Sequence, residues 1–283
     1  MDKKPNQKPT MSRRIIKDLP LSDNFMFGAV MSDTEMCKLF LEAVLHKKIA
    51  RIEFIDNEHT ISNFPGLHGI RMDIYVEDDE GARYNVEMEK NNKTGDPLEK
   101  RGRFYQGKID HNFLKSGVHY EDLPHSYIIY VCDYDYFGRG YACYERISTI
   151  KDCPDLAYDD GSHIIIFNTH YKTVNVSRDV QEFLDYVRTN DDAAVYEGKL
   201  ATKARELVWA VRNDAEMEER YMTLQMYMDD KLREGIAIGK EETLRKSILA
   251  IADILSVDEI ANRFKVSVSV VKDILNSSNA TNQ

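Results

Sequence analysis

Arg71-Met72-Asp73-Ile74-Tyr75-Val76 and Arg83-Tyr84-Asn85-Val86-Glu87-Met88-Glu89-Lys90 are parted by Glu77-Asp78-Asp79-Glu80-Gly81. Both arms are rich in apolar and aromatic residues, which predicts two β-strands, and the acidic run ending in Gly81 predicts the turn between them. Side chains two apart share a face of a strand, so Glu87 and Glu89 point the same way. A three-residue loop, Asp79 to Gly81, puts Asp73 directly across from Glu87 on that face. A loop one residue longer shifts the register and spoils the pairing.

Three carboxylates on one face repel one another and lose solvation, so they take up protons or gather around a cation. Oxygen-only donors suit Mg²⁺, Mn²⁺ or Ca²⁺ better than zinc. A metal held by Asp73, Glu87 and Glu89 could activate a water and stabilise charge on a phosphate. The spacing by itself is more readily a solvated hairpin face carrying ordinary acids.

The chain has 283 residues, 42% of them hydrophobic and 30% charged, the composition of an ordinary soluble globular protein of one large domain or two. No long apolar run spans a membrane. The first residues, Met1 to Pro9, lack the apolar core of a secretory signal, and a cytoplasmic protein is expected. Cys37, Cys132, Cys143 and Cys153 show no paired short spacing, so reduced buried thiols are expected in place of a zinc ribbon or disulfide framework. No phosphate loop, Gly-x-Ser-x-Gly, Gly-x-Gly-x-x-Gly or His-Glu-x-x-His occurs.

A net charge of −10 argues against a protein that simply coats nucleic acid. Charge is uneven, however. Residues 1–17 carry six basic side chains against one acidic, and residues 90–108 carry six against two. The second patch follows the acidic hairpin, where a phosphate backbone would need to lie; a solvated helix face explains it equally well.

Leu21 to Phe27 opens the folded part, and Ser32 or Asp33 can cap a helix through Met36, Leu39, Phe40, Ala43 and Val44. Glu42 on that helix could add a carboxylate to a site, though solvent exposure is the simpler expectation. Arg51 to Ile55 predicts a strand, and Asn63 to Gly69 a loop. Beyond the hairpin, Asp96 as cap and Pro97 in the first turn start a helix with Leu98, Gly102, Tyr105, Ile109 and Phe113 as a buried stripe. Arg103, Gln106 and Asp110 form a polar stripe, and Gly117 ends the helix. Ser126 to Cys132 reads as a central strand covered on both faces, with further strands at Tyr141 to Glu145 and His163 to Asn168. This order predicts an α/β sandwich, a mixed sheet flanked by helices.

The order of elements and the Asp…Glu-x-Glu hairpin resemble the PD-(D/E)XK nuclease superfamily, with its restriction-endonuclease-like core. More narrowly, the chain resembles the bacterial recombination-promoting nuclease/putative transposase family. The matching stretches are Asp23-Asn24-Phe25-Met26-Phe27, Arg71-Met72-Asp73-Ile74, Asn85-Val86-Glu87-Met88-Glu89, Arg101 to Asp110 and Ile129 to Gly138. Together they are specific and cover roughly residues 20–245; any one alone is weak. The resemblance implies Mg²⁺- or Mn²⁺-dependent hydrolysis of DNA phosphodiesters, with Asp73 and Glu87 as metal-binding acids. Glu89 departs from the family's Gln and the superfamily's Lys; a Glu there acts as a further ligand or as a base. Lys90 points to the opposite face and cannot substitute. Arg103 and Gln106 match the helix that positions water or phosphate, so the catalytic set implied is Asp73, Glu87, Glu89, Arg103 and Gln106. DNA contacts are expected from Lys90, Arg101, Arg103 and Lys108.

After the core, Ser177 to Val187 predicts a helix and Asp191 to about Leu232 a charged helical stretch. Its Met217, Tyr221, Leu224 and Met228 suit a core or dimer seam. Gly235 and Gly239 mark a linker. Ser256-Val257-Asp258-Glu259 fits a capping box, Phe264 to Ser267 a turn, and Val270 to Leu275 a second helix; Leu244 to Leu255 completes a helix-turn-helix-like bundle. Lys272 is its candidate DNA contact, although a plain helical interaction module fits nearly as well. The expected organisation is a disordered basic arm (1–19), the nuclease-like core (20–176), a helical extension and linker (177–240), the helix-turn-helix-like module (241–276) and a disordered tail (277–283). A metal-dependent DNA endonuclease linked to recombination or mobile elements is one reading. The other is a catalytically impaired nuclease fold that binds DNA or protein, which Glu89 favours. A homodimer would let two sites cut two strands.

Overall fold

Alternation along the strands builds a sheet with two apolar faces, and helices cover both. The computed structural model describes residues 15–54, 73–90, 95, 97–114 and 119–279, and for Asp73, Ala157, Ser278 and Asn279 the backbone alone. The expected features at residues 1–14, Ile55, the 63–69 loop, Arg71-Met72, Asp96, Gly117 and 280–283 lie outside the described residues. The described residues divide into two compact units, the first ending at Leu224 and the second beginning at Gln225.

In the first unit the helices are α1 (Asn24–Met31), α2 (Thr34–Leu45), α3 (Leu98–Phe113), α4 (Arg178–Thr189) and α5 (Lys199–Arg212). The strands are β1 (Ile52–Phe54), β2 (Asp73–Asp78), β3 (Arg83–Glu89), β4 (Ser126–Cys132), β5 (Cys143–Glu145), β6 (Thr149–Ile150), β7 (Cys153–Ala157) and β8 (Ser162–Asn168). Six of them form one sheet in the order β1-β2-β3-β4-β8-β5. The middle strands β3, β4 and β8 run parallel, and the outer pairings are antiparallel. The sequence thus predicts the mixed sheet and the central place of β4. It does not predict the small β6–β7 hairpin, whose strands are too short to carry a periodic signal.

One face carries Ile74, Val76, Tyr84, Val86, Ile129, Val131, Ile165 and Phe167 against α1, α2, α4 and α5. The other carries Tyr75, Ile128, Tyr130, Cys132, Ile164 and Ile166 against Leu98 and Ile109 of α3. Period-two strands meeting period-3.6 helices leave these as the two apolar layers. Helices α4 and α5 share the core with α1 and α2, as Phe183, Leu184, Ala204 and Val208 are fully buried there. They are therefore part of the core unit, where the sequence suggested an extension. Ile16 and Leu19 are also buried, and Arg212 donates to the Leu19 carbonyl at 2.8 Å, so this end of the expected basic arm is packed.

Several local expectations are corrected. Helix α3 starts one residue later than read, with Pro97 itself at the cap position, and it stops at Phe113. Asp33 caps α2, accepting from the Met36 amide at 2.8 Å. Glu42 is tied to the Ile49 amide and Lys48, away from any site. Cys37 and Cys132 are buried, but Cys153 is exposed and Cys143 lies between. Burial beside Asp33 pushes the Cys37 thiol up to about 12, so it is inert.

A 35-residue helix, α6 (Ala215–Leu249), begins in the first unit, where Tyr221 and Leu224 are buried. It passes through Gly235 and Gly239 without a break, so the linker read there is helix. Each glycine costs roughly 1 kcal/mol against alanine, which the good helix formers around them absorb. In the second unit, the end of α6 packs with α7 (Val257–Phe264) and α8 (Val268–Asn279) through Ile248, Ile260, Ala261 and Val271. The capping box at Ser256 and Glu259 is present, and Lys265 takes the left-handed turn position at φ 56°. Helix α8 continues through Asn279, past the expected start of the tail. Among the described residues no helix is long and apolar enough to cross a membrane.

The hairpin that carries the acids is held by Asp78, whose side chain is 1% exposed. It accepts from the Glu80 and Ala82 amides at 3.0 and 2.9 Å, from the Tyr84 hydroxyl at 2.6 Å and from Lys47 at 2.8 Å. Burial works against its charge, yet the bonds from Lys47, Tyr84 and Ala82 outweigh it and hold the pKa below the ordinary carboxylate range. A depressed folded pKa contributes stability above the unfolded pKa, near 4, that is lost as pH falls through the folded value. Asp78→Asn should therefore lower stability at neutral pH by about 1–3 kcal/mol and flatten the acid limb below about pH 4. Urea denaturation of both proteins between pH 3 and 7 measures it; parallel pH curves would count against this account.

Candidate functional site

The loop from β2 to β3 is Asp79 to Gly81: the Asp78 amide bonds the Ala82 carbonyl at 3.0 Å, and Gly81 sits at φ 84°. That left-handed position closes a three-residue hairpin at no steric cost only with glycine or a similar residue. The register that follows pairs Asp73 with Glu87, Tyr75 with Asn85 and Glu77 with Arg83. The three acids therefore lie at positions of one strand-pair face, as the three-residue loop requires.

Glu87 is 4% exposed. Asn85, two residues earlier on the same face, donates to its Oε1 at 2.7 Å. From the first turns of α3, Arg101 ion-pairs with Glu89 and reaches the Glu87 Oε2 at 3.4 Å. Side chains on a helix lean toward its N-terminus, so a residue one turn into α3 reaches back over the end of β3. Burial opposes the Arg101 charge, but Glu87 and Glu89 raise its pKa further and fix it as a cation. The guanidinium lies 5.2 Å from the ring of Tyr130, the β4 residue paired with Glu87. The Tyr130 hydroxyl and the Arg101 Nε are buried without a hydrogen-bond partner among the described residues. Burial, then the nearby Glu87, raises the Tyr130 pKa, so the hydroxyl stays protonated as a donor.

Helix α3 comes this close because residue 102 is glycine. A Cβ there would stand 2.9 Å from Ile164 Cδ1 and 3.6 Å from the Tyr130 hydroxyl. Three features thus meet at the C-terminal end of β3: an acidic pair, a facing acid position and a half-buried cation.

This arrangement spans α1 to β8, and the family model described as PD-(D/E)XK nuclease family transposase matches residues 24–168. The chain belongs to this family. Comparison with curated proteins and with solved structures gives no match. For a PD-(D/E)XK nuclease family transposase the fold is the expected mixed α/β core, and the family carries a nuclease-type function that generally uses divalent metal ions.

Not all residues expected at the site gather there. Gln106 is buried and turned to β8, donating to the His163 carbonyl at 3.1 Å, so it supports the sheet. Reading it on the polar stripe was wrong because the sheet supplies a backbone partner that a helical wheel does not show. Arg103, with Lys90, is exposed, and Lys108 lies half-buried. Arg101, expected to contact DNA, is instead the partner of the two glutamates. Asn85 was missed, though its place two residues before Glu87 is a legible signal. Tyr130 could be found only through the β3–β4 register.

A second cluster, His125, Asp159 and His163, brings ligand-type atoms within 4.8 Å of one another. His125 Nδ1 and His163 Nε2 are 3.2 Å apart, with ring centroids 5.5 Å apart and planes inclined by 10°. The rings lie edge to edge with the two nitrogens directed at each other. An in-line nitrogen–metal–nitrogen span is about 4.1 Å, too long for this gap. The pair is a hydrogen bond, and burial lowers the His163 pKa in agreement with a neutral ring.

Gly102→Leu should force α3 off the sheet at a cost of about 1–3 kcal/mol. Chemical denaturation checks the cost. Unchanged stability would mean that α3 is not held at this distance.

Proposed function

We propose that this protein is a metal-dependent DNA endonuclease, linked to DNA recombination or mobile elements, whose site is the β2–β3 hairpin. The observation that carries the reading is the nearly buried Glu87 beside Glu89, opposite the Asp73 position by register. Acids so placed need a positive partner. The donor set fits a hard divalent cation: oxygen ligands only, on adjacent strands, with one Glu87 oxygen already oriented by Asn85. Asp73, Glu87 and Glu89 would hold Mg²⁺ or Mn²⁺. Such an ion supplies Lewis acidity and a water of lowered pKa.

The chain's own groups do the rest. Asn85 fixes the Glu87 rotamer, and the Asp78 bonds hold the strand that bears Asp73. Exposed Lys90 and Arg103, with Lys108, contribute the phosphate contacts that give affinity without sequence reading. In the second unit, exposed Lys272 on α8 adds a tethered DNA contact. Gln106 donates to the His163 carbonyl and so ties α3 to β8.

A supercoiled plasmid with Mn²⁺ should be nicked by the wild type, and nicking should fall to background in Asp73→Ala and Glu87→Gln. Binding of DNA with no cleavage by any form would favour the impaired, binding-only reading. The phosphate contacts have their own signature. Arg103→Ala and Lys108→Ala should each flatten the plot of log affinity against log salt by about one unit, with the same loss for every DNA sequence. Fluorescence anisotropy over a salt series measures the slope, and an unchanged slope would remove these residues from the interface.

A further inference from the structure

We propose that Arg101 is the site's built-in cation, a positioning residue that neutralises the surplus carboxylate Glu89 and so sets the affinity of the hairpin acids for a divalent ion. The proposal rests on the nuclease reading and deepens it. It begins from a charge count. Asp73, Glu87 and Glu89 together carry −3 when ionised, one more than a single divalent ion offsets. Arg101 brings the total to −2.

Geometry separates this role from phosphate contact. The Arg101 side chain is 27% exposed and touches both glutamates, and its guanidinium lies against the Tyr130 ring. Its helical neighbours Lys100 and Arg103 are exposed and open to a ligand. A guanidinium that keeps two carboxylates company in a half-buried place is held by them more strongly than a surface arginine is held by anything. Two independent features bring it there. Gly102 lets α3 approach the sheet, and the position one turn into the helix directs the side chain back toward the strand ends. The N-terminal end of α3 adds a partial positive charge to the same place.

The consequence is an order of affinities. Arg101→Gln leaves the acids at −3 and should bind Mn²⁺ more tightly than wild type, by roughly tenfold or more for one unit charge at this range. Glu89→Gln leaves −1 and should bind more weakly by a similar factor. The double variant, Arg101→Gln with Glu89→Gln, returns to −2 and should bind close to wild type. A residue that merely supported the fold would weaken binding in every variant and could not be rescued by the second change.

Isothermal titration of the full-length chain with Mn²⁺, without DNA, reads these affinities apart from any activity. Thermal shift with and without Mn²⁺ gives a second readout: Arg101→Gln should be less stable than wild type in chelator and gain more from the ion. Arg101→Lys keeps the charge and should stay near the wild-type affinity. The expected order, Arg101→Gln tightest, wild type and the double variant alike, Glu89→Gln weakest, establishes the role. Wild-type binding that Arg101→Gln leaves unchanged or weakens, in folded protein, overturns it while the metal site stands. Absence of Mn²⁺ binding by wild type and all variants overturns the metal site and the proposal with it.

Discussion

The register of one hairpin decides everything at the candidate site, and a buried carboxylate sets that register. Asp78 takes four bonds within the turn and from Lys47 and Tyr84. Two come from the Glu80 amide within the loop and the Ala82 amide that closes it. One comes from Tyr84 on β3 of the hairpin itself and one from Lys47 just past α2, which anchors the turn. A one-residue slip would move Asp73 to the other face and break the acid arrangement. Asp79 adds to the clamp by accepting the Ala50 and Arg51 amides, so the hairpin also holds the entry to β1.

From that constraint the electrostatics follow. Parallel pairing of β3 with β4 places Tyr130 beside Glu87, and the α3 crossover brings Arg101 over both glutamates. The helix thereby supplies a cation to the two strand-end glutamates. Glu89 then reads as one half of a charge pair.

Gln106 satisfies a β8 carbonyl, and His125 and His163 share a proton at the N-terminal ends of β4 and β8, away from the acids at the end of β3. The helical unit after Leu224 has its own small core and its own capping box, so its fold rests on local signals and a few buried aliphatic residues.

The sequence by itself determined what is local. Strand alternation, the Gly81 turn, the capping box at Ser256 and Glu259, and the shared face of Glu87 and Glu89 all follow from short-range geometry, and each is present. The apolar run of β4 marked it as central because only a strand covered on both faces is so continuously apolar. Tertiary structure alone decided what depends on contacts distant in sequence. It turned Gln106 inward to a carbonyl 57 residues away and gave Arg101 to the glutamates. It drew Ile16 and Leu19 into the core. In each case the deciding partner lies on another element, and side-chain type and spacing do not encode which element that will be.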